Sequence, residues 1–243
     1  MQQLLIENLN AKTKEHRLSA LSELLSVEKE KPVRRDNDAN NHIHTIYSFS
    51  PYSPTKAAYM AYKSGLTSAG IMDHDSLSGA DEFKKACKML NLGSTCGVEV
   101  RAHFKKGFGK INHPDQPECI YMAAHGVPAQ NLSKINEYLE YYRQKRYARD
   151  QKMCELITNK YGKFGLGLDF NKDVYPISQA HEGGSITERH LLFALAIKLS
   201  DKFGRTDRLV EFLGNDLGLE VSAKVNEVLE SKIEEKTEKV LLK

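Results

Sequence analysis

No apolar run in these 243 residues approaches the roughly 18 that a transmembrane helix requires. The N-terminus, MQQLLIENLN, lacks the basic, apolar, small-residue order of a secretory signal. A cytoplasmic chain with no membrane partner is the expectation. Excess charge of one sign is also scarce. Thirty-five Lys and Arg against 32 Asp and Glu leave a formal +3, too mild for the basic signature of a dedicated nucleic-acid binder. The only cysteines are Cys87, Cys96, Cys119 and Cys154, with no CxxC pair, which reads as reduced thiols without chemistry. Internal repeats and low-complexity segments are absent. What is present, 40% hydrophobic and 28% charged residues, is an ordinary globular composition with enough chain for one large or two small domains.

Residues 1–31 read as helix, with Leu18, Leu21, Leu24 and Leu25 at helical spacing until Pro32 breaks the pattern. This stretch is expected to be an N-terminal extension, residues 1–35. From residue 36 to 130 strands and helices alternate. An extended Ala39–Thr45 leads to a helix capped by Ser53, opened by Pro54 and closed at Gly65. LTSAGIM reads as a strand, and Ser78 with Asp81 as a capping box for GADEFKKACKML. STCGVEV and CIYMAA read as further strands, the last ending at His125. Strands separated by helices of this length indicate βαβ units and a parallel sheet. Residues 131–243 turn helix-rich: Leu132–Asn159, then ITERHLLFALAIKLSDKF capped by Ser185 with Glu188, then an amphipathic C-terminal helix from VSAKVNEV onward. Eight Lys or Arg face four Asp or Glu between Asn131 and Lys163, the pattern of either a solvated helix face or a weak polyanion site.

The chemistry concentrates at the carboxyl ends of the expected strands, where active sites of parallel β/α folds lie. His42 and His44 stand two apart, so an extended chain turns both imidazoles to one face. Asp73-His74-Asp75 closes the next strand, Glu99 belongs to the third and His125 to the fourth. Isolated His16, His103, His113 and His181 are read as structural. Imidazole with carboxylate suits manganese, zinc or iron. Paired divalent ions activate water and neutralise charge at phosphorus, so phosphoester hydrolysis is the natural inference, although amide hydrolysis uses the same metals.

NHIHTIYSFSPYSP, AGIMDHDSLSGADEF and CGVEV, taken in order, resemble the first three motifs of the PHP family, the polymerase and histidinol phosphatase superfamily. The resemblance implies an α/β fold, a distorted (β/α)7 barrel left incomplete in this chain. It also implies two or three divalent ions and a small phosphorylated metabolite or nucleotide as substrate. By motif, His42 and His44 match the first ligand pair, His74 the second-motif ligand and Glu99 the bridging carboxylate, with Asp73 as a catalytic residue orienting His74. SITERHLLFALA is similar to a later motif of nucleotide-directed members, which puts His190 on the metals and Arg189, with Ser185, on the substrate phosphate. The departures are definite. No acid follows His42-Ile43-His44-Thr45, where Tyr47, Ser48, Phe49 and Ser50 stand. Tyr121 occupies the place of a histidine, with His125 as a substitute ligand, and the closing Asp-x-His is absent. The expectation is an N-terminal portion of a longer member. A depleted module that binds metal, nucleotide or a partner is the alternative, with a DNA nuclease as the third reading.

Overall fold

The N-terminal helical stretch breaks into α1 (Gln2–Asn8) and α2 (Lys14–Val27), because the Thr13 hydroxyl accepts a hydrogen bond from the His16 amide and starts a second helix. Four strands follow in the computed structural model, which describes residues 1–28, 32–33, 37–104, 107, 109–112, 116–204 and 207–223. They are β1 (Ala39–Ile43), β2 (Ser68–His74), β3 (Gly93–His103) and β4 (Cys119–Ala124), in the order β1-β2-β3-β4. The first three are parallel, joined through α3 (Pro54–Lys63) and α4 (Ala80–Met89). Ser53 caps α3 as its sequence predicts, accepting from the Lys56 amide at 3.0 Å. The expected Ser78–Asp81 box does not form. Gly79 is the N-cap of α4, Ser78 donates to Gly183 O, and Asp81 pairs with Lys85 one turn on.

β4 departs from the parallel expectation. It returns antiparallel to β3, pairing Glu99 with Ala123 and Arg101 with Tyr121. The strand β3 also runs to His103, three residues beyond the Val100 at which its apolar run ends. Gly97 allows the close approach: a Cβ there would lie 2.6 Å from Ala124 O.

One face of the sheet, carrying Ala69, Ile71 and Cys96, packs under α3 and α4. Leu5, Leu9, Leu21 and Leu24 of the N-terminal helices are buried in the same core, so residues 1–28 are a structural layer and not an appendage. Arg17 and Glu82, both buried, lock α2 to α4 through a bidentate pair at 2.9 and 2.6 Å. Glu82 also accepts from the Thr55 amide and hydroxyl on α3. The four cysteines are free and buried, and burial pushes the Cys87 thiol up to about 12, which keeps it unreactive.

The chain divides into two compact units, at places other than residues 35 and 130. Met1–Lys145 with Ser178–Ser185 form the first, and Arg146–Ile177 with the chain from Ile186 onward form the second. In the first unit, the opening turns of α5 (Leu132–Tyr161) place Leu139 against Leu77 and Val98. In the second, α6 (Glu188–Phe203) and α7 (Asp207–Glu211) share a core of Leu166, Leu199, Leu209, Phe212 and Leu213. The expected C-terminal helix lies outside the described residues beyond Ala223. No described helix is long and apolar enough to cross a membrane.

Candidate metal centre

Period-two alternation assigns the polar residues to faces. Ile43, Ile71 and Cys96 point toward the helices, so His42, His44, His74 and Glu99 point to the other side. There they converge. Glu99 Oε2 lies 3.0 Å from His42 Nε2, 3.3 Å from His44 Nε2 and 3.8 Å from His74 Nδ1. The His42 and His44 rings are 5.0 Å apart, and the His44 and His74 rings stack at 4.6 Å. Ligand atoms of His42, His44 and Glu99 all fall within 4.8 Å of one another. Two ring nitrogens and a carboxylate oxygen within that span, with the His74 ring beside them, are a donor set that suits a divalent transition ion or zinc. His125, one residue past β4, is exposed, with its ring 6.4 Å from that of His42. The antiparallel return of β4 brings it there.

Asp73 is displaced from its expected role. It is almost fully buried on the opposite face from His74, accepting from Thr45 N at 2.7 Å, Thr45 Oγ1 at 2.6 Å and Ser48 Oγ at 2.6 Å. Its carboxylate is on the side of the sheet away from the His74 ring. Burial pushes its carboxyl above the usual range, against the hydrogen bonds from Ser48 and Thr45. Through Ser48 it acts on His44 instead: Ser48 Oγ lies 3.3 Å from His44 Nδ1. With the hydroxyl hydrogen given to Asp73, that oxygen accepts from Nδ1–H, and the Nε2 lone pair is left toward Glu99. Ser48 is therefore a site residue that the motif reading missed, and its place four residues beyond His44 was the available signal.

The segment Ser178–Ser185 closes on the loops that follow β1 and β2. Tyr47 Oη donates to Glu182 at 2.9 Å, and Ser76 and Ser78 hydroxyls donate to Gly183 O at 2.7 and 3.1 Å. Gly183 has φ +82, where a Cβ would sit 2.5 Å from Ser78 Oγ. Arg143 of α5 donates to Asp75 O at 2.8 Å, beside His74. The Ser185 amide, expected to face a phosphate, is instead given to Tyr47 O at 2.7 Å.

Arg189 and His190 belong to the second unit. Arg189 is exposed and His190 buried. The cap of α6 is Thr187 with His190, not Ser185 with Glu188: Thr187 N donates to His190 Nδ1 at 3.0 Å. A neutral imidazole whose Nδ1 accepts carries its proton on Nε2, and a protonated nitrogen does not ligate a metal. The cap thus engages His190 Nδ1. Burial pushes its pKa down to about 4. His16, His103 and His181 are exposed, and His113 lies outside the described residues.

Three parallel strands that gather three imidazoles and one carboxylate at their ends define a β/α domain with the donors for a metal ion. Comparison with known proteins makes the class specific: the chain belongs to the PHP domain family, whose sequence profile matches residues 40–224. Over 149 residues it is 24% identical to a 5'-3' exoribonuclease of Haemophilus influenzae, covering 61% of this chain and 47% of that protein. Among solved structures it is similar to a candidate metal-dependent phosphoesterase of Bifidobacterium adolescentis, with TM-score 0.53, 21% identity and coverage of 80% of this chain and 58% of the other. An amidohydrolase of Chromobacterium violaceum with bound sulfate has TM-score 0.51, 16% identity and coverage of 72% and 53%. These likenesses establish a shared mixed α/β fold. The chain spans about half the length of the relatives it matches.

Proposed function

We propose that the protein is a metal-dependent phosphoesterase. The observation that carries this reading is the convergence of His42, His44 and His74 nitrogens on Glu99 Oε2. These four residues, with His125 at the margin, would hold divalent cations, which supply Lewis acidity at phosphorus and a water of lowered pKa. The protein's own contribution is positioning. Asp73 and Ser48 set the His44 tautomer, Asp75 N donates to Glu99 O at 2.9 Å to hold β3 against the end of β2, and the Gly183–Gly184 segment borders the strand ends.

A second reading, trimming of a single-stranded nucleic acid, draws on the exoribonuclease relative and on the first unit's part of α5. There Tyr138, Tyr141 and Tyr142 are 64%, 62% and 44% exposed, and Lys145 sits over the Tyr141 ring at 5.3 Å. Lys134 and Lys145 share their helical face, a combination that suits stacked bases and phosphates.

The test is turnover by manganese-loaded protein of phosphomonoesters and, in parallel, of a 5'-phosphorylated single-stranded oligonucleotide, together with metal titration. His42→Ala and Glu99→Ala are expected to lose metal binding and reduce hydrolysis to background. Preference for the oligonucleotide, lost on Tyr141→Ala, would select the second reading. Metal binding by wild type without turnover of either substrate would leave a binding module. Unchanged rates in both metal-ligand variants would reject a metal centre here.

A further inference from the structure

The β3 strand continues past Glu99, and the next residue on the same face is Arg101. It is the only lysine or arginine in the four strands. Its cross-strand partner is Tyr121. The guanidinium lies 5.3 Å over the Tyr121 ring, and Nη2 donates to Tyr121 Oη at 2.8 Å. Tyr121 in turn stands beside the centre, with its ring 6.0 Å from that of His74. Its main chain is pinned by Asn112, whose Oδ1 accepts from Tyr121 N at 2.9 Å and whose Nδ2 donates to Tyr121 O at 3.0 Å. A cation on a flexible stem has thus been fixed by one ring, one hydroxyl and one strand pairing at the lip of a cluster of metal-type ligands.

We propose that Arg101, steadied by Tyr121, is a phosphate-binding residue of this centre. The inference rests on the phosphoesterase reading and adds to it the group that takes the non-bridging oxygens of the substrate. A guanidinium presents its donors in a planar fork that matches phosphate oxygens, and stacking on an aromatic ring orients that fork in advance of binding. The placement also fits what the site has in place of additional ligands. Phe49 and Tyr121 occupy positions where the motifs call for an acid and a histidine, so the donor set is smaller than a fully ligated one. Arg101 adds positive charge to the same face by another route. An arginine serving only as a cross-strand prop would contribute to stability without affecting affinity for an anion, and this separates the two roles experimentally.

The experiment is calorimetric titration of inorganic phosphate into the manganese-loaded full chain, alongside KM and kcat for phosphomonoesters. Arg101→Met is expected to weaken phosphate binding about 10- to 100-fold, the scale of charge-assisted hydrogen bonds, and to raise KM, with manganese affinity within about twofold of wild type. Arg101→Lys, which retains the charge but not the fork, should recover part of the loss, and Tyr121→Phe should show a smaller loss. Should Arg101→Met prove unstable, the Arg101→Lys and Tyr121→Phe values decide. Wild-type phosphate affinity and KM in folded variants that still turn over would overturn the role of Arg101 and leave the phosphoesterase reading standing. A metal-loaded wild type that neither binds phosphate nor hydrolyses its esters would overturn both.

Discussion

Phe49 stands four positions beyond Thr45, where the motifs call for an acidic metal ligand, and the hydroxyl of its neighbour Ser48 serves the centre from behind. It links Asp73 to His44 Nδ1 at 2.6 and 3.3 Å, so the protonation pattern of one ligand depends on a residue that touches no metal. Ser48→Ala should weaken manganese binding about 10- to 100-fold, the usual effect of removing a group that orients a metal-ligating histidine. Its unfolding midpoint should stay close to wild type, because Thr45 still donates twice to Asp73. Ser48→Asp puts a second carboxylate against a buried one. That variant should lose stability without gaining metal affinity; tighter binding by titration calorimetry would show that the loop can turn outward. The sequence already contained the cue for the face that Asp73 takes. Adjacent residues in a strand point to opposite faces, so Asp73 could not share a side with His74. Neighbourhood in sequence outweighed periodicity in the motif reading.

Elements follow local rules where local chemistry decides them. The α3 start at Ser53-Pro54, the parallel arrangement of β1, β2 and β3 and the shared face of His42 and His44 follow from local spacing, and the structure reproduces them. The direction of β4 was not legible, because CIYMAA is apolar whichever way it runs, and only its pairing with β3 shows the antiparallel return. β3 runs on to His103 through the alternation Val98-Glu99-Val100-Arg101-Ala102-His103, which keeps its polar residues on one face. The place of the N-terminal helices was hidden for a different reason: Arg17 and Glu82 are 65 residues apart, and each reads alone as a surface charge. Buried at 1% and 2% exposure, they are expected to behave as a coupled pair. Glu82→Ala strands a guanidinium in the core and should cost about 3 to 5 kcal/mol in chemical denaturation. Arg17→Met with Glu82→Leu, which removes both charges, should cost distinctly less. Equal losses in the single and double variants would mean that packing, and not charge burial, dominates there.

At the scale of the whole molecule the second unit contains two buried titrating groups whose pH responses oppose each other. Burial lowers His190 from 6.5 to about 4, so the unfolded chain takes up a proton that the folded one refuses. The contribution of His190 to stability is complete above pH 6.5 and declines as pH falls toward 4. Burial raises Asp150 from 3.8 to about 6, against the Arg149 hydrogen bonds. For this group the folded state holds the proton more tightly, and stability is gained as pH falls through 6 toward 3.8. Each shift corresponds to about 3 kcal/mol, over nearly the same interval and with opposite sign. Wild-type stability should therefore change little from these two groups between pH 7 and 4, and single substitutions should expose them. His190→Gln, which still offers an acceptor to the Thr187 amide, should become more stable relative to wild type as pH falls. Asp150→Asn should become less stable relative to wild type over the same range. Urea midpoints at pH 7 and 4.5 measure both slopes. Parallel behaviour of the two variants would mean that one of the groups is not held in the charge state that its burial dictates.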